Sequence, residues 1–278
     1  MFIRLLSDLH LELTRDVDKM IREMLPLELS PSDKSNICCG EKTVLVLAGD
    51  IGNPSKTYYK SFVEGASLHY DKVFIVTGNH EYYMSSDEYY MYSDDDDNSS
   101  NIEDVNKLVE KIADAIPNVH FLNRKSVIFD RVRFLGCTLW TKSNRRLARA
   151  MNDYYRIPGM TPDVCEELHK RDVTWLSEQF DVAKSGNGIE SEFEQTVVIT
   201  HHLPSYKLIA DKYQGDSMNS LFATNLEDLV AKADIWCSGH SHCANQVKIG
   251  KCRCYLNPTG YPGEITGFNP FIEIPLKS

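Results

Sequence analysis

No apolar run in the 278-residue chain approaches the roughly 20 residues that a membrane-spanning helix requires. The opening stretch Met1–Leu6 is short and broken by Arg4, which predicts no secretory leader. The eight cysteines (38, 39, 137, 165, 237, 243, 252 and 254) form no Cys-x-x-Cys pair, so a zinc ribbon has no support. They read instead as reduced, partly buried thiols of a cytoplasmic protein. Positive charge is also scarce: 30 Lys and Arg face 40 Asp and Glu, a formal charge of −10. This balance argues against a nucleic-acid polymer or an anionic membrane as partner, since both select clustered Lys and Arg. Small phosphorylated substrates stay open, because a bound cation outweighs net charge locally. There is no Walker-type phosphate loop and no Ser or Cys nucleophile elbow, so no covalent phosphoenzyme is needed.

What is there is an ordinary globular composition, 42% hydrophobic and 25% charged, without repeats or an inter-domain linker. We expect one domain over residues 1–278. Five β-rich runs end in polar clusters: Phe2–Leu6 before Asp8 and His10, Thr43–Ala48 before Gly49-Asp50, Lys72–Val76 before Gly78-Asn79-His80-Glu81, Thr196–Ile199 before His201-His202, and Asp234–Cys237 before Gly239-His240-Ser241-His242. Near-continuous apolar runs with β-branched residues predict strands buried on both faces. Helical patterns at Ser55–Tyr70, Ile102–Ile116, Thr161–Phe180 and Leu226–Ala233 lie between them. The alternation predicts an α/β fold with parallel central strands, and sites in such sheets form beyond the carboxyl ends of strands. Val119–Leu122, Ser126–Phe129, Val132–Cys137, Ala244–Ile249, Cys252–Leu256 and Phe271–Ile274 predict a second sheet with antiparallel pairs. Residues 85–101, with Asp94-Asp95-Asp96-Asp97, read as an acidic insertion loop, and 184–195 as a second surface loop.

The five clusters supply Asp8, His10, Asp50, Asn79, His80, His201, His202, His240 and His242. Carboxylate, imidazole and amide oxygen together suit divalent ions of intermediate hardness, Mn, Fe or Zn. This many imidazoles argue against Mg, which prefers oxygen and retained water. Asp-x-His and His-x-His set alternate side chains on one side of an extended segment, so both reach one cluster. Each piece alone is weak: Gly-Asp after a strand is often a helix cap, and a lone His is more often a satisfied core residue. The ordered set is specific.

Asp8-Leu9-His10, Gly49-Asp50, Gly78-Asn79-His80-Glu81, His201 and Gly239-His240-Ser241-His242 resemble the motifs of the calcineurin-like metallophosphoesterase superfamily, from Asp8 to His242. The resemblance implies a four-layer αββα sandwich with two mixed β-sheets and a binuclear centre. It implies that one ion takes Asp8, His10, Asp50 and His242, and the other Asp50, Asn79, His201 and His240, with Asp50 bridging. It also implies a catalytic, non-ligand role for His80 beside the leaving group. His202 has no family role and reads as a packing residue. Gly136–Thr141, Met151–Tyr154 and Asn257–Glu264 resemble a mostly bacterial branch of the superfamily. There Gly260-Tyr261-Pro262-Gly263 reads as turn chemistry first, and Tyr261 over the site second.

Two departures from the family pattern stand out. The phosphate-binding Arg of the protein Ser/Thr phosphatases is missing after Gly49-Asp50. Asn53 replaces the carboxylate that often pairs with the non-ligand His, which would weaken His80 as an acid. Substrate phosphate is expected to meet Arg145, Arg149 or Arg156 in the segment 138–161, with a solvated basic helix as the competing reading. The expected activity is hydrolysis of a phosphomonoester or phosphodiester by attack of a metal-bridging hydroxide, with Asp50 and His80 as catalytic residues. A non-catalytic metal-binding scaffold of the same fold is the alternative.

Overall fold

The computed structural model describes residues 1–14, 16–25, 41–83, 101–184 and 192–277. The acidic loop expected at 85–101 lies outside these residues except for Asn101, which opens a helix, and most of the 184–195 loop lies outside them too. Among the described residues no helix is long and apolar enough to cross a membrane.

Among the described residues, eleven strands form two mixed sheets. The first contains β1 (Phe2–Leu6), β2 (Thr43–Ala48), β3 (Lys72–Val76) and β4 (Val119–Phe121), all parallel. β11 (Ile274–Pro275) closes its edge antiparallel to β1. The second contains β6 (Val132–Gly136), β7 (Gln195–Ile199), β8 (Ile235–Ser238) and β10 (Cys252–Leu256), also parallel. Its antiparallel edges are β5 (Lys125–Phe129) and β9 (Asn245–Ile249). The β5–β6 hairpin turns on Asp130 and Arg131, both at positive φ, as a two-residue hairpin loop that follows the strand twist requires.

Alternation along each strand builds the layers. Val44 and Val46 face the second sheet, where they join Phe134, Val197 and Ile199. Leu45 and Leu47 face the other way, onto Tyr59, Phe62 and Val63 of the helix Thr57–Ser67 and Val109 of the helix Asn101–Asp114. On the far side, Leu135, Val198 and Trp236 pack against Leu176 and Phe180 of the helix Pro162–Lys184. With apolar residues on both faces, these strands cannot alternate polar and apolar, which is why their sequences read as continuous runs. The result is helix, sheet, sheet, helix: the αββα sandwich.

Several elements differ from expectation. Only Glu227–Val230 of the expected helix Leu226–Ala233 is helical, because Ala233 and Asp234 are already turning into β8. Phe271 is exposed in a turn held by the Asn269 side chain, so the last strand begins at Ile274. The segment 138–161 is no continuous helix; it holds only short turns at Ala148–Ala150 and Asp153–Arg156. An amphipathic helix also spans Val17–Met24, capped by Asp16, which accepts from the Lys19 amide at 2.9 Å.

Candidate metal centre

The carboxyl ends of β1, β2, β3, β7 and β8 meet at one place. Asp8 and His10 leave β1, Asp50 leaves β2, Asn79 and His80 leave β3, His201 leaves β7, and His240 and His242 leave β8. Asp8, His10, Asp50, His240 and His242 all have φ between 46° and 70°, the left-handed region that such side chains seldom adopt. The strain is held by bonds between the strand ends. Asp8 accepts from the His240 amide at 2.9 Å, and Asp50 accepts from the His80 amide at 2.8 Å. Glu81, whose motif position carried no assigned role, accepts from the amides of Asp50, Ile51 and Gly78 at 3.0, 2.7 and 2.7 Å. Gly78 is required for space: a Cβ there would lie 2.7 Å from the His201 ring and run into Asp50.

Among the described residues three sets of side chains could hold an ion: His10–Glu12–His80, which shares His10, and the two groups Asp8–His10–His242 and Asp50–His201–His240. Asp50 Oδ2 stands between them, 3.9 Å from His10 Nε2 and 3.3 Å from His201 Nε2. The hydrogen-bond partners explain what the arrangement fits. His10 Nδ1 and His242 Nδ1 are turned toward Glu12 and Glu264 carboxylates, at 3.2 and 2.7 Å, and can only donate there. Their Nε2 lone pairs then face each other at 3.1 Å, with Asp8 Oδ1 3.5 Å from His242 Nε2. His201 Nδ1 donates to the Ala48 carbonyl at 2.9 Å, which turns its Nε2 lone pair on Asn79 Oδ1 at 3.1 Å and Asp50 Oδ2. Acceptors converging on acceptors repel unless a cation or a proton lies among them. The donor set therefore fits divalent ions, and the outward nitrogens of His10, His242 and His201 are each held by an oxygen that fixes the tautomer, while His240 Nε2 is buried without a hydrogen-bond partner.

Protons fill this role when no ion does. Burial opposes charge on His201, but Asp50 and Asp8 outweigh it and lift His201 to about 10. His242 is lifted to about 8, where burial is outweighed by Asp8 and Glu264. Burial and the Asp50 charge push the Glu81 carboxyl up to about 8. His202, by contrast, is buried neutral: desolvation and His201 lower it to about 3, and its ring packs 5.3 Å from Trp140. Groups raised above their unfolded values of 6.5 for His and 4.5 for Glu lend stability that is complete below those values. For Glu81 and His242 that stability is lost as pH climbs through about 8, and for His201 through about 10. His202 and His240, whose values are lowered, act in the opposite sense only below 6.5. The metal-free chain should therefore melt at progressively lower temperature as pH rises from about 6.5 to 8, and added Mn should flatten that decline. A metal-free melting temperature that stays level or climbs across this range would contradict it.

Asn79 is oriented as well as positioned. Its amide donates to Asp153 Oδ1 at 2.9 Å and to the Tyr83 hydroxyl at 3.0 Å, and Tyr83 itself donates to Asp153 at 2.5 Å. With both amide protons directed away, Asn79 Oδ1 faces His201. Asp153→Asn removes the pure acceptor and should weaken ion binding by about 10–100-fold, as loss of outer partners of metal sites does. Isothermal titration with Mn would read this directly, and unchanged affinity would reduce Asp153 to a packing role.

His80 opens a 3₁₀ turn rather than continuing an extended segment, and it is not joined to Asn53. Asn53 serves a local turn instead, accepting from Ser55. The carboxylate beside His80 is Glu12, 3.0 Å from Nδ1, two residues past His10 in the first motif. Burial disfavours the charged ring, but Asp50 and Glu12 outweigh it and hold His80 above the ordinary imidazole value. Tyr261 lies over the site: its hydroxyl is 3.1 Å from His80 Nε2, and its ring centroid is 4.6 Å from His10 and 4.5 Å from His242. The turn reading of this stretch is also present, since Glu264 accepts from the Tyr261 amide.

A cavity of 640 Å³ opens over these residues, reaching Asp50, Asn79, His80, His240, His242 and Tyr261. Arg145, Arg149 and Arg156 do not line it. Arg145 pairs with Asp163 at the surface, the Arg149 carbonyl accepts from Tyr155, and the Arg156 guanidinium sits 4.9 Å over the Tyr83 ring.

Two facing mixed sheets carrying an Asp/His/Asn cluster at five strand ends define the class of metal-dependent phosphoesterases. The chain belongs to the calcineurin-like phosphoesterase family, whose model matches residues 1–244. Over 290 aligned residues it is 28% identical to the uncharacterized protein L509 of Acanthamoeba polyphaga mimivirus, covering 99% of this chain and 96% of that one. Among solved structures it shares its fold with the phosphopantetheinyl hydrolase PptH of Mycobacterium tuberculosis, at a TM-score of 0.63 and 16% identity, covering 94% of this chain and 90% of that one.

Proposed function

We propose that the protein hydrolyses a small phosphomonoester or phosphodiester at a site holding two divalent ions, of which Mn, Fe or Zn suit the donors. The observation behind this reading is the convergence of acceptor-only atoms on both sides of Asp50 Oδ2. Asp8, His10 and His242 would hold one ion, Asn79, His201 and His240 the other, and Asp50 both. When bound, such ions supply Lewis acidity that lowers the pKa of water and offsets charge on the phosphoryl group.

The remaining chemistry belongs to side chains. Glu12 and Glu264 hold His10 and His242 with Nε2 inward. Asp153 holds Asn79 with Oδ1 inward. His80, supported by Glu12, can carry a proton on Nε2 at the cavity floor, where it meets the departing oxygen of the ester. Tyr261 lies on that nitrogen and on the rings of His10 and His242, so it screens them from bulk water.

The test is a Mn-activated screen over aryl phosphates, cyclic nucleotides, pyrophosphate-linked nucleotides and phosphopeptides. A phosphopantetheinyl ester belongs in it, since a hydrolase of that name shares the fold. Hydrolysis that appears with Mn and vanishes with chelator supports the reading. A protein that binds two ions and turns over none of these esters would be a metal-binding scaffold.

A further inference from the structure

The wall of the cavity facing the metal centre is formed by the segment 206–222, and it has a composition of its own. It runs through three 3₁₀ turns, Tyr206–Leu208, Asp211–Tyr213 and Ser217–Leu221. Side chains staple these turns to one another. Gln214 donates to the Tyr206 and Ile209 carbonyls at 3.0 and 2.7 Å, Asn219 donates to the Tyr213 carbonyl at 2.7 Å, and Asp216 accepts from the Met218 amide at 2.8 Å. A bridge between Leu203 and Ala223 fastens its base. The segment is thus a preformed surface, and it presents Ile209, Tyr213, Met218 and Phe222 to the cavity.

The charges on the cavity lining are unusual for a phosphate site. Among the described residues no arginine lines it, and Lys212 is its only lysine. Lys212 Nζ sits 4.7 Å over the Tyr213 ring, near the rim. Asp216 and Glu264 add negative charge to the same lining. Phosphate groups beyond the one at the metals would need guanidinium forks or ammonium groups, and would meet carboxylates here. The volume of 640 Å³ is that of a site for a drug-sized ligand, far more than one phosphoryl group needs.

Resting on the phosphoesterase reading above, we propose that the substrate is a phosphodiester whose second ester group is large and uncharged and seats against Ile209, Tyr213, Met218 and Phe222. A diester brings a single negative charge, which the metal centre offsets. Its second substituent then occupies the stapled apolar wall. A monoester leaves that wall facing water, and a polyphosphate sets extra charge beside Asp216 and Glu264.

The experiment compares three substrates with one leaving group on the Mn-loaded protein: 4-nitrophenyl phosphate, methyl 4-nitrophenyl phosphate and phenyl 4-nitrophenyl phosphate. Because nitrophenol leaves in each case, differences report the other substituent. We expect kcat/KM for the phenyl diester to exceed that for the methyl diester about tenfold or more, the discrimination an apolar pocket gives, with the gain mainly in KM. Met218→Ser and Tyr213→Ser, both at the cavity surface, should each shrink that ratio. Equal rates for the two diesters, a preference for the monoester, or a phenyl advantage that survives both substitutions would each overturn the proposal while leaving the phosphoesterase reading intact. Failure to cleave any of the three with ions bound would overturn that reading, and this proposal with it.

Discussion

Asp50→Asn should leave a folded protein that holds at most one ion per chain and has no measurable phosphoesterase turnover. Asp50 Oδ2 stands between the groups proposed to hold the two ions, 3.9 Å from His10 Nε2 and 3.3 Å from His201 Nε2. Its carboxylate also stays charged despite burial, because the His201 and His80 charges beside it outweigh desolvation. An amide in its place keeps the shape but removes the charge, and it replaces one ligating oxygen with an NH2 group that cannot bind a cation. The effect should exceed the roughly 10–100-fold cost of losing an outer partner of a metal ligand. Metal content by elemental analysis and kcat on an aryl phosphate check it together. A variant that keeps two ions and the wild-type rate would falsify the bridging assignment.

His80→Ala is the next largest. The groups Asp8–His10–His242 and Asp50–His201–His240 both survive in this variant, so metal content should be unchanged. Loss of general acid–base help typically costs 10²–10⁴-fold, and that is the expected fall for esters with poor leaving groups. The fall should be smaller for nitrophenyl esters, whose leaving oxygen hardly needs a proton. Glu12→Gln should reproduce part of the effect, because Glu12 holds His80 Nδ1 and supports its charge. Equal losses across leaving groups would assign His80 to positioning. A missing ion in His80→Ala would make it a ligand instead.

The strands that carry the site were legible because each is buried on both faces, and that burial writes itself into the sequence as an unbroken apolar run ending in polar residues. Asp8, His10, Asp50, Asn79, His201, His240 and His242 could be grouped for the same reason: their common feature is position at a strand end. The side chains that orient them were harder to see. Glu12 and Glu264 are ordinary exposed-looking acids in sequence, and only the fold brings Glu264 within 2.7 Å of His242. Asp153 meets Asn79 across 74 residues of chain, a pairing with no periodicity to announce it. Asn53 misled because it stands at the family's position for a carboxylate, while the actual carboxylate arrives from the β1 loop. A short trace of Glu12 was available: Asp-x-His-x-Glu keeps the spacing that put Asp8 and His10 together. Tyr261 lies in a turn, as Gly260-Tyr261-Pro262-Gly263 implies. The ring's place above three histidines depends on contacts across nearly the whole chain.

Five left-handed backbone positions, at Asp8, His10, Asp50, His240 and His242, weigh on the stability of the fold. Each such conformation costs on the order of 1–3 kcal/mol in a residue with a side chain, and glycine would relieve much of it. A lineage that no longer needed to bind metal would gain stability by drifting to glycine or to relaxed torsions at these places. In this chain Asp and His occupy all five, so the fold bears that strain for the side chains these positions present.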